Sequence, residues 1–105
     1  MVFRANAELL DAIVLSVISR NKEGIYGYKL TQDVRQIIEI SESTCYPVLR
    51  RLHNDNYLEE YTIVIESRKR HYYKISDEGV KKLLWYCDEW RNYSIQIDNI
   101  FGEIQ

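Results

Sequence analysis

A chain of 105 residues suits one domain, and at that size folding buries only about 60 to 70 per cent of the unfolded surface, so stability is expected to lean on a partner. With 14 basic and 16 acidic residues the net charge is -2, which argues against a non-specific nucleic-acid coat. Cys45 and Cys87 form no CxxC and have no ligand pair nearby, so a disulfide framework, a zinc site and a metal or other cofactor are not expected. There is no signal-peptide pattern and no uninterrupted apolar stretch long enough for a membrane span, so a cytoplasmic protein with no membrane contact is expected.

Along the chain, Leu9, Leu10, Ile13, Val14, Val17 and Ile18 recur at three and four, which predicts an amphipathic helix from Asn6 to Arg20. The run Glu23 to Gly27 breaks it. A second helix is predicted from near Tyr26 to Tyr28, with Leu30, Val34, Ile37 and Ile38 on one face, and only Glu39 and Ile40 then precede the next start at Ser41. Helix, short connection, helix is the pattern of a helix-turn-helix.

The third helix, Ser41 to Asn54, has two faces. Cys45, Val48, Leu49 and Leu52 lie on one side, with Ser43, Pro47, Arg50 and Asn54 roughly opposite and Thr44, Tyr46 and Arg51 on the flanks. Short hydroxyls, an aromatic ring, an amide and two guanidiniums suit base edges and phosphates. Ser41 is a plausible N-cap followed by Glu42 near the positive end of the dipole. Pro47 removes one backbone bond, so either the first turn is loose or the helix begins later. After the turn formers Asn54-Asp55-Asn56 the period falls to two, predicting two strands around Ser67-Arg68-Lys69, a hairpin with a basic tip.

Ser76, with Asp77 and Glu78 behind it, caps a helix predicted to reach about Phe101. Val80, Cys87, Ser94 and Phe101 form one heptad register, and Leu83, Trp90, Ile97 and Ile104 the other. Leu84 lies beside the seam, while Tyr86, Tyr93 and Ile100 widen it. The preceding globule is too small to cover this stripe, so a second copy is expected to meet it.

Three stretches, Tyr26-Gly27-Tyr28, Thr44-Cys45-Tyr46-Pro47-Val48-Leu49-Arg50-Arg51-Leu52, and Arg68-Lys69-Arg70-His71-Tyr72-Tyr73-Lys74-Ile75-Ser76 followed by Glu78-Gly79, occur in order. In this the chain resembles the short form of the PadR family of bacterial transcriptional regulators, from about Leu9 to Arg91. The second stretch matches the family's T-x-Y-P-x-L-x-R-L core. The paired glycines usual at the family's wing tip are replaced by Glu66-Ser67. The resemblance implies a dimeric winged helix-turn-helix that represses transcription and releases DNA on binding a phenolic or drug-like molecule.

The expected architecture is therefore mostly α with a small β-hairpin: a winged helix-turn-helix over residues 1–76 and a C-terminal dimerisation helix over 77–105. The expected partner is double-stranded DNA with a pseudo-palindromic operator. Ser43, Thr44, Tyr46, Pro47, Arg50, Arg51 and Asn54 are the expected contacts from the helix, and Arg68, Lys69 and Arg70 those from the wing. Dimerisation is assigned to Val80, Leu83, Leu84, Cys87, Trp90, Ile97 and Phe101, and a small aromatic effector to Trp90, Tyr86 and Tyr93. The alternative is a winged-helix module for protein contact without DNA. Catalysis is not expected, because His53 and His71 have no nucleophile or carboxylate at a motif spacing.

Overall fold

The computed structural model describes residues 7–104. The elements run α1 (Ala7–Ser19), β1 (Ile25–Tyr26), α2 (Gly27–Arg35), α3 (Glu42–Asn54), β2 (Leu58–Ile65), β3 (Arg68–Ile75) and α4 (Asp77–Gly102). The expected helix start at Asn6 lies outside the described residues.

Helix α1 is central. Leu10, Val14, Leu15, Val17 and Ile18 are all buried, Leu15 fully, although it lies off the stripe that the spacing singles out. The reason is that α1 packs against α2, α3, α4 and β3, and a helix covered by several elements is apolar around most of its girth. Leu30 and Val34 of α2, and Cys45, Val48, Leu49 and Leu52 of α3, complete the core with Ile25, Leu58 and Tyr86.

Two expectations about α2 are corrected. The helix stops at Arg35, so residues 36–41 separate it from α3 rather than two residues, and Ile37 is exposed rather than part of the buried stripe. The segment before it, expected to be only a break, holds a strand. Ile25 and Tyr26 pair with Tyr73 and Tyr72, making a three-stranded antiparallel sheet in the order β1-β3-β2. Gly24, at φ +106, turns the chain into that strand, in a conformation that favours glycine.

The hairpin turn is made by two residues, Glu66 and Ser67, both at positive φ (51 and 64), with Ile65 paired to Arg68 across it. That is the twist-matched two-residue turn in which Asn-Gly is preferred. Neither side chain takes this region cheaply, so Glu66→Asn with Ser67→Gly should raise stability by about 1 kcal/mol. A melting temperature that does not rise would show that the turn carries no strain.

A serine joins three elements. Helix α3 ends in a Schellman motif, with Asn56 at φ 66, Tyr57 N donating to the Leu52 carbonyl at 2.9 Å and Asn56 N to that of His53 at 3.0 Å. Ser76 Oγ then donates to the Asn56 carbonyl at 2.6 Å and accepts from Gly79 N at 2.9 Å, capping α4, while Ser76 N donates to the Tyr57 carbonyl at 3.1 Å. The end of the reading helix and the start of the long helix are thus fixed through one residue. Helix α4 is 26 residues long, roughly 39 Å, and gives the molecule its 59 Å long dimension.

Candidate nucleic-acid interface

On α3, Ser43, Thr44, Tyr46, Pro47, Arg50 and Asn54 are exposed, and Cys45, Val48, Leu49 and Leu52 are buried, the two faces expected from the spacing. Ser41 has the extended backbone of an N-cap, but its hydroxyl makes no cap bond. It lies instead 2.9 Å from Ser43 Oγ and 3.0 Å from Thr44 Oγ1. The hydroxyls satisfy one another, so no side chain caps the first amides of the helix, while Thr44 N donates to the Ser41 carbonyl at 3.1 Å. The helix begins at Glu42 and runs unbroken through Pro47, so a later start is ruled out. With no N–H on Pro47, the Ser43 carbonyl lacks its partner one turn on.

Arg51 is exposed like its neighbour but engaged differently. It stands next to Arg50 in sequence, but its Nη2 donates to Asp11 Oδ1 of α1. Asp11 is only 7 % exposed, and its other oxygen accepts from Tyr86 Oη at 3.3 Å. Burial holds the Asp11 carboxyl above the usual carboxylate range against the opposing pull of Arg51, and burial beside that carboxyl pushes the Tyr86 phenol up. The half-exposed Arg51 side chain is therefore held to α1 at one end, whereas Arg50 makes no ion pair or hydrogen bond among the described residues.

The wing stands beside α3. Arg68, Lys69 and Arg70 are exposed, opposite Ile65, Val64 and Ile63. Between helix and wing runs a groove in two parts. One, of about 460 Å³, is lined by Tyr26, Gly27, Tyr28, Tyr46, Arg70, His71 and Tyr73. The other, of about 330 Å³, adds Arg50, His53 and Glu60 to the shared Tyr46, His71 and Tyr73. The Arg70 guanidinium lies 4.8 Å from the centre of the Tyr26 ring, which fixes its direction. His71 Nδ1 sits 3.2 Å from Glu60 Oε1, so the one carboxylate in the groove faces an imidazole. Burial, and then Glu60, pushes the Tyr73 phenol up.

Tyr26, Tyr28, His71 and Tyr73 are not among the residues expected from sequence to meet DNA. The signal for the first two is the Tyr26-Gly27-Tyr28 motif itself. Gly27 opens α2 beside the Tyr73 and Tyr46 rings, where an added Cβ would make ordinary contacts at 3.7 and 3.8 Å, so the start of α2 borders the groove.

A model of the transcriptional regulator PadR-like family matches residues 14–84. The chain belongs to the PadR-like family. Solved structures agree. The chain is similar to smu.1704 from Streptococcus mutans UA159, at 35% identity over 97% of this chain and 94% of that one, with a TM-score of 0.83. It is similar to a PadR-like transcriptional regulator from Bacillus cereus (28% identity, 89% and 91% covered, TM-score 0.76). A PadR family transcription regulator from Clostridium difficile R20291 is a third (27%, 88% and 96%, 0.74). No curated protein matches the sequence.

Family membership makes the chain a DNA-binding transcription regulator and not an enzyme. In the PadR-like core T-x-Y-P-x-L-x-R-L, the arginine is Arg51, the residue held by Asp11. The motif's arginine thus pairs with α1, and the neighbouring Arg50 lines the groove.

On α4, Val80, Leu84, Cys87, Trp90 and Phe101 are exposed, with Leu83 and Ile97 half-buried. Tyr86, expected to widen this stripe, is instead 4 % exposed against α1. Trp90 and Tyr86 nonetheless line one apolar cleft of about 280 Å³ with Leu9, Ala12, Ile13 and Cys87, and the Tyr93 ring lies 5.9 Å from that of Trp90. No helix among the described residues is long and apolar enough to cross a membrane.

Proposed function

We propose that this PadR-like protein is a cytoplasmic, homodimeric repressor that reads a pseudo-palindromic operator. The observation that carries it is the groove: the outward face of α3 and the basic strand of the wing border one concave surface. Ser43, Thr44, Tyr46, Pro47, Arg50 and Asn54 meet base edges in the major groove, and Arg68, Lys69 and Arg70 hold phosphates or enter a minor groove. Arg51 is left out of this set. Residues 1–76 act as the DNA-binding unit and 77–105 as the dimerisation unit.

The test is a titration of the protein against DNA from its own promoter region at several salt concentrations. Affinity should fall steeply with salt, and neutralising Arg68, Lys69 and Arg70 together should shallow the logarithmic slope by about 0.9 for each phosphate that no longer has a cationic partner. An unchanged slope would remove the wing from the interface.

The exposed apolar stripe of α4 supports dimerisation, since an apolar face of that length on a small monomer is costly to leave in water. Two-fold pairing would place the reading helices about 34 Å apart, or a multiple of that. Deleting the residues after Asp88 should give monomers or aggregates by light scattering. A truncated protein that stays a stable dimer would place the seam elsewhere.

For the effector, a planar aromatic molecule stacking on Trp90 beside Tyr93 and Tyr86 is the proposal, because these rings border an apolar cleft. Such a ligand should quench tryptophan fluorescence and weaken operator binding, and Trp90→Ala should abolish the release.

A further inference from the structure

Asp11 is an acid buried among apolar residues. Its neighbours in α1, Leu10, Val14 and Leu15, are core residues, and the carboxyl group itself is buried. Replacing a buried ionic group by an apolar one of similar volume is often neutral or stabilising. Stability alone therefore does not account for a carboxylate here. Its geometry is informative, because the two oxygens go to different elements: Oδ1 to the Arg51 guanidinium of α3, Oδ2 to the Tyr86 hydroxyl of α4 at 3.3 Å.

Apolar packing is non-directional and allows helices to slide or roll over small distances. Hydrogen bonds to a charged group are directional, and a buried carboxylate that loses one partner is left costly and uncompensated. Among the described residues no buried side-chain nitrogen or oxygen lacks a partner. Asp11 therefore pins the C-terminal half of α3 and the middle of α4 to one point of α1. The serine hub at Ser76 fixes these two helices to each other at the end of α3 and the start of α4. A hinge at one point leaves a rotation free, and a second point removes it.

We propose that Asp11 is a positioning residue for operator recognition, setting the angle between the reading helix α3 and the helix α4 that joins two copies. This rests on the function proposed above. In a two-fold dimer that angle fixes the distance and relative rotation of the two reading helices. One base pair inserted between half-sites moves them apart by roughly 3.4 Å and rotates them by roughly 35°. A protein with a fixed angle rejects such a site, and one with a loose angle accommodates it.

The experiment compares wild type, Tyr86→Phe and Asp11→Asn on two duplexes: the segment of the protein's own promoter that it protects from cleavage, and the same segment with one base pair inserted at its centre of symmetry. The readout is the ratio of the two dissociation constants, which a mere loss of fold stability does not change. Tyr86→Phe removes a single hydroxyl far from any base and keeps the test open if Asp11→Asn folds poorly. Both variants should lower the wild-type ratio by at least about fivefold, the lower end of coupling between distinct sites. If both ratios stay within about twofold of wild type, below any such coupling, Asp11 has no positioning role. Should the wild type bind its promoter no better than unrelated DNA, the operator function fails first and this inference with it.

Discussion

Alanine at position 79 is expected to destabilise the fold by about 1 to 3 kcal/mol, the range for forcing an extra methyl into a packed site. For a domain of this size that is a fall in melting temperature of about 5 to 20 °C at fixed protein concentration. Gly79 sits in the first turn of α4, its amide bonded to Ser76 Oγ. A Cβ there would overlap the Tyr57 carbonyl oxygen and approach Ile75 Cγ1 to 2.7 Å. Neither is the free end of a flexible side chain. The Tyr57 carbonyl also accepts from Ser76 N, so moving it away breaks the joint between α3 and α4. A melting temperature within about 2 °C of wild type would mean that the junction yields easily.

Replacing Arg50 by alanine should weaken operator binding by about 1 to 3 kcal/mol, roughly five- to 150-fold, while leaving thermal stability nearly unchanged. Its side chain is exposed on the groove, where a bidentate contact with guanine or a phosphate is within reach. The neighbouring substitution, Arg51→Ala, acts through a different route, because it removes the α3 partner of Asp11 rather than a group on the groove. It strands the buried Asp11 carboxyl, so stability falls first. Equal operator affinity in Arg50→Ala would remove that residue from the interface.

The contrast between these two arginines shows what local pattern can and cannot carry. The two faces of α3 follow from its spacing, because a period of 3.6 residues is written in consecutive positions, whereas burial along the wing strands does not follow their alternation. Arg50 and Arg51 differ by 100° of rotation, and the decision between them rests on Asp11, which lies on another helix. Nothing near Arg51 in sequence announces that partner. Asp11 itself gives no signal, because a single acid inside an apolar run does not disturb the period. Strand β1 is illegible for a related reason: two residues have no period, and they become a strand only through Tyr72 and Tyr73. The turn at Glu66-Ser67 forms without glycine because the eight pairs of the flanking strands set its register.

Strand β1 also bears on the order in which the chain assembles. The wing hairpin joins near neighbours and can form early, whereas the β1 ladder closes a loop that contains α2, α3 and most of the hairpin. Closing that loop costs chain entropy before its two residue pairs return anything, so β1 is the last edge of the sheet to zip and the first to open. Amide exchange should therefore be faster at Ile25 and Tyr26 than at the β2–β3 ladder, at the free energy of a local opening and below that of global unfolding. Since Tyr26 leads directly into the start of α2, one wall of the groove breathes on its own while the helix opposite stays packed, so a duplex would meet a firm reading helix and a yielding edge.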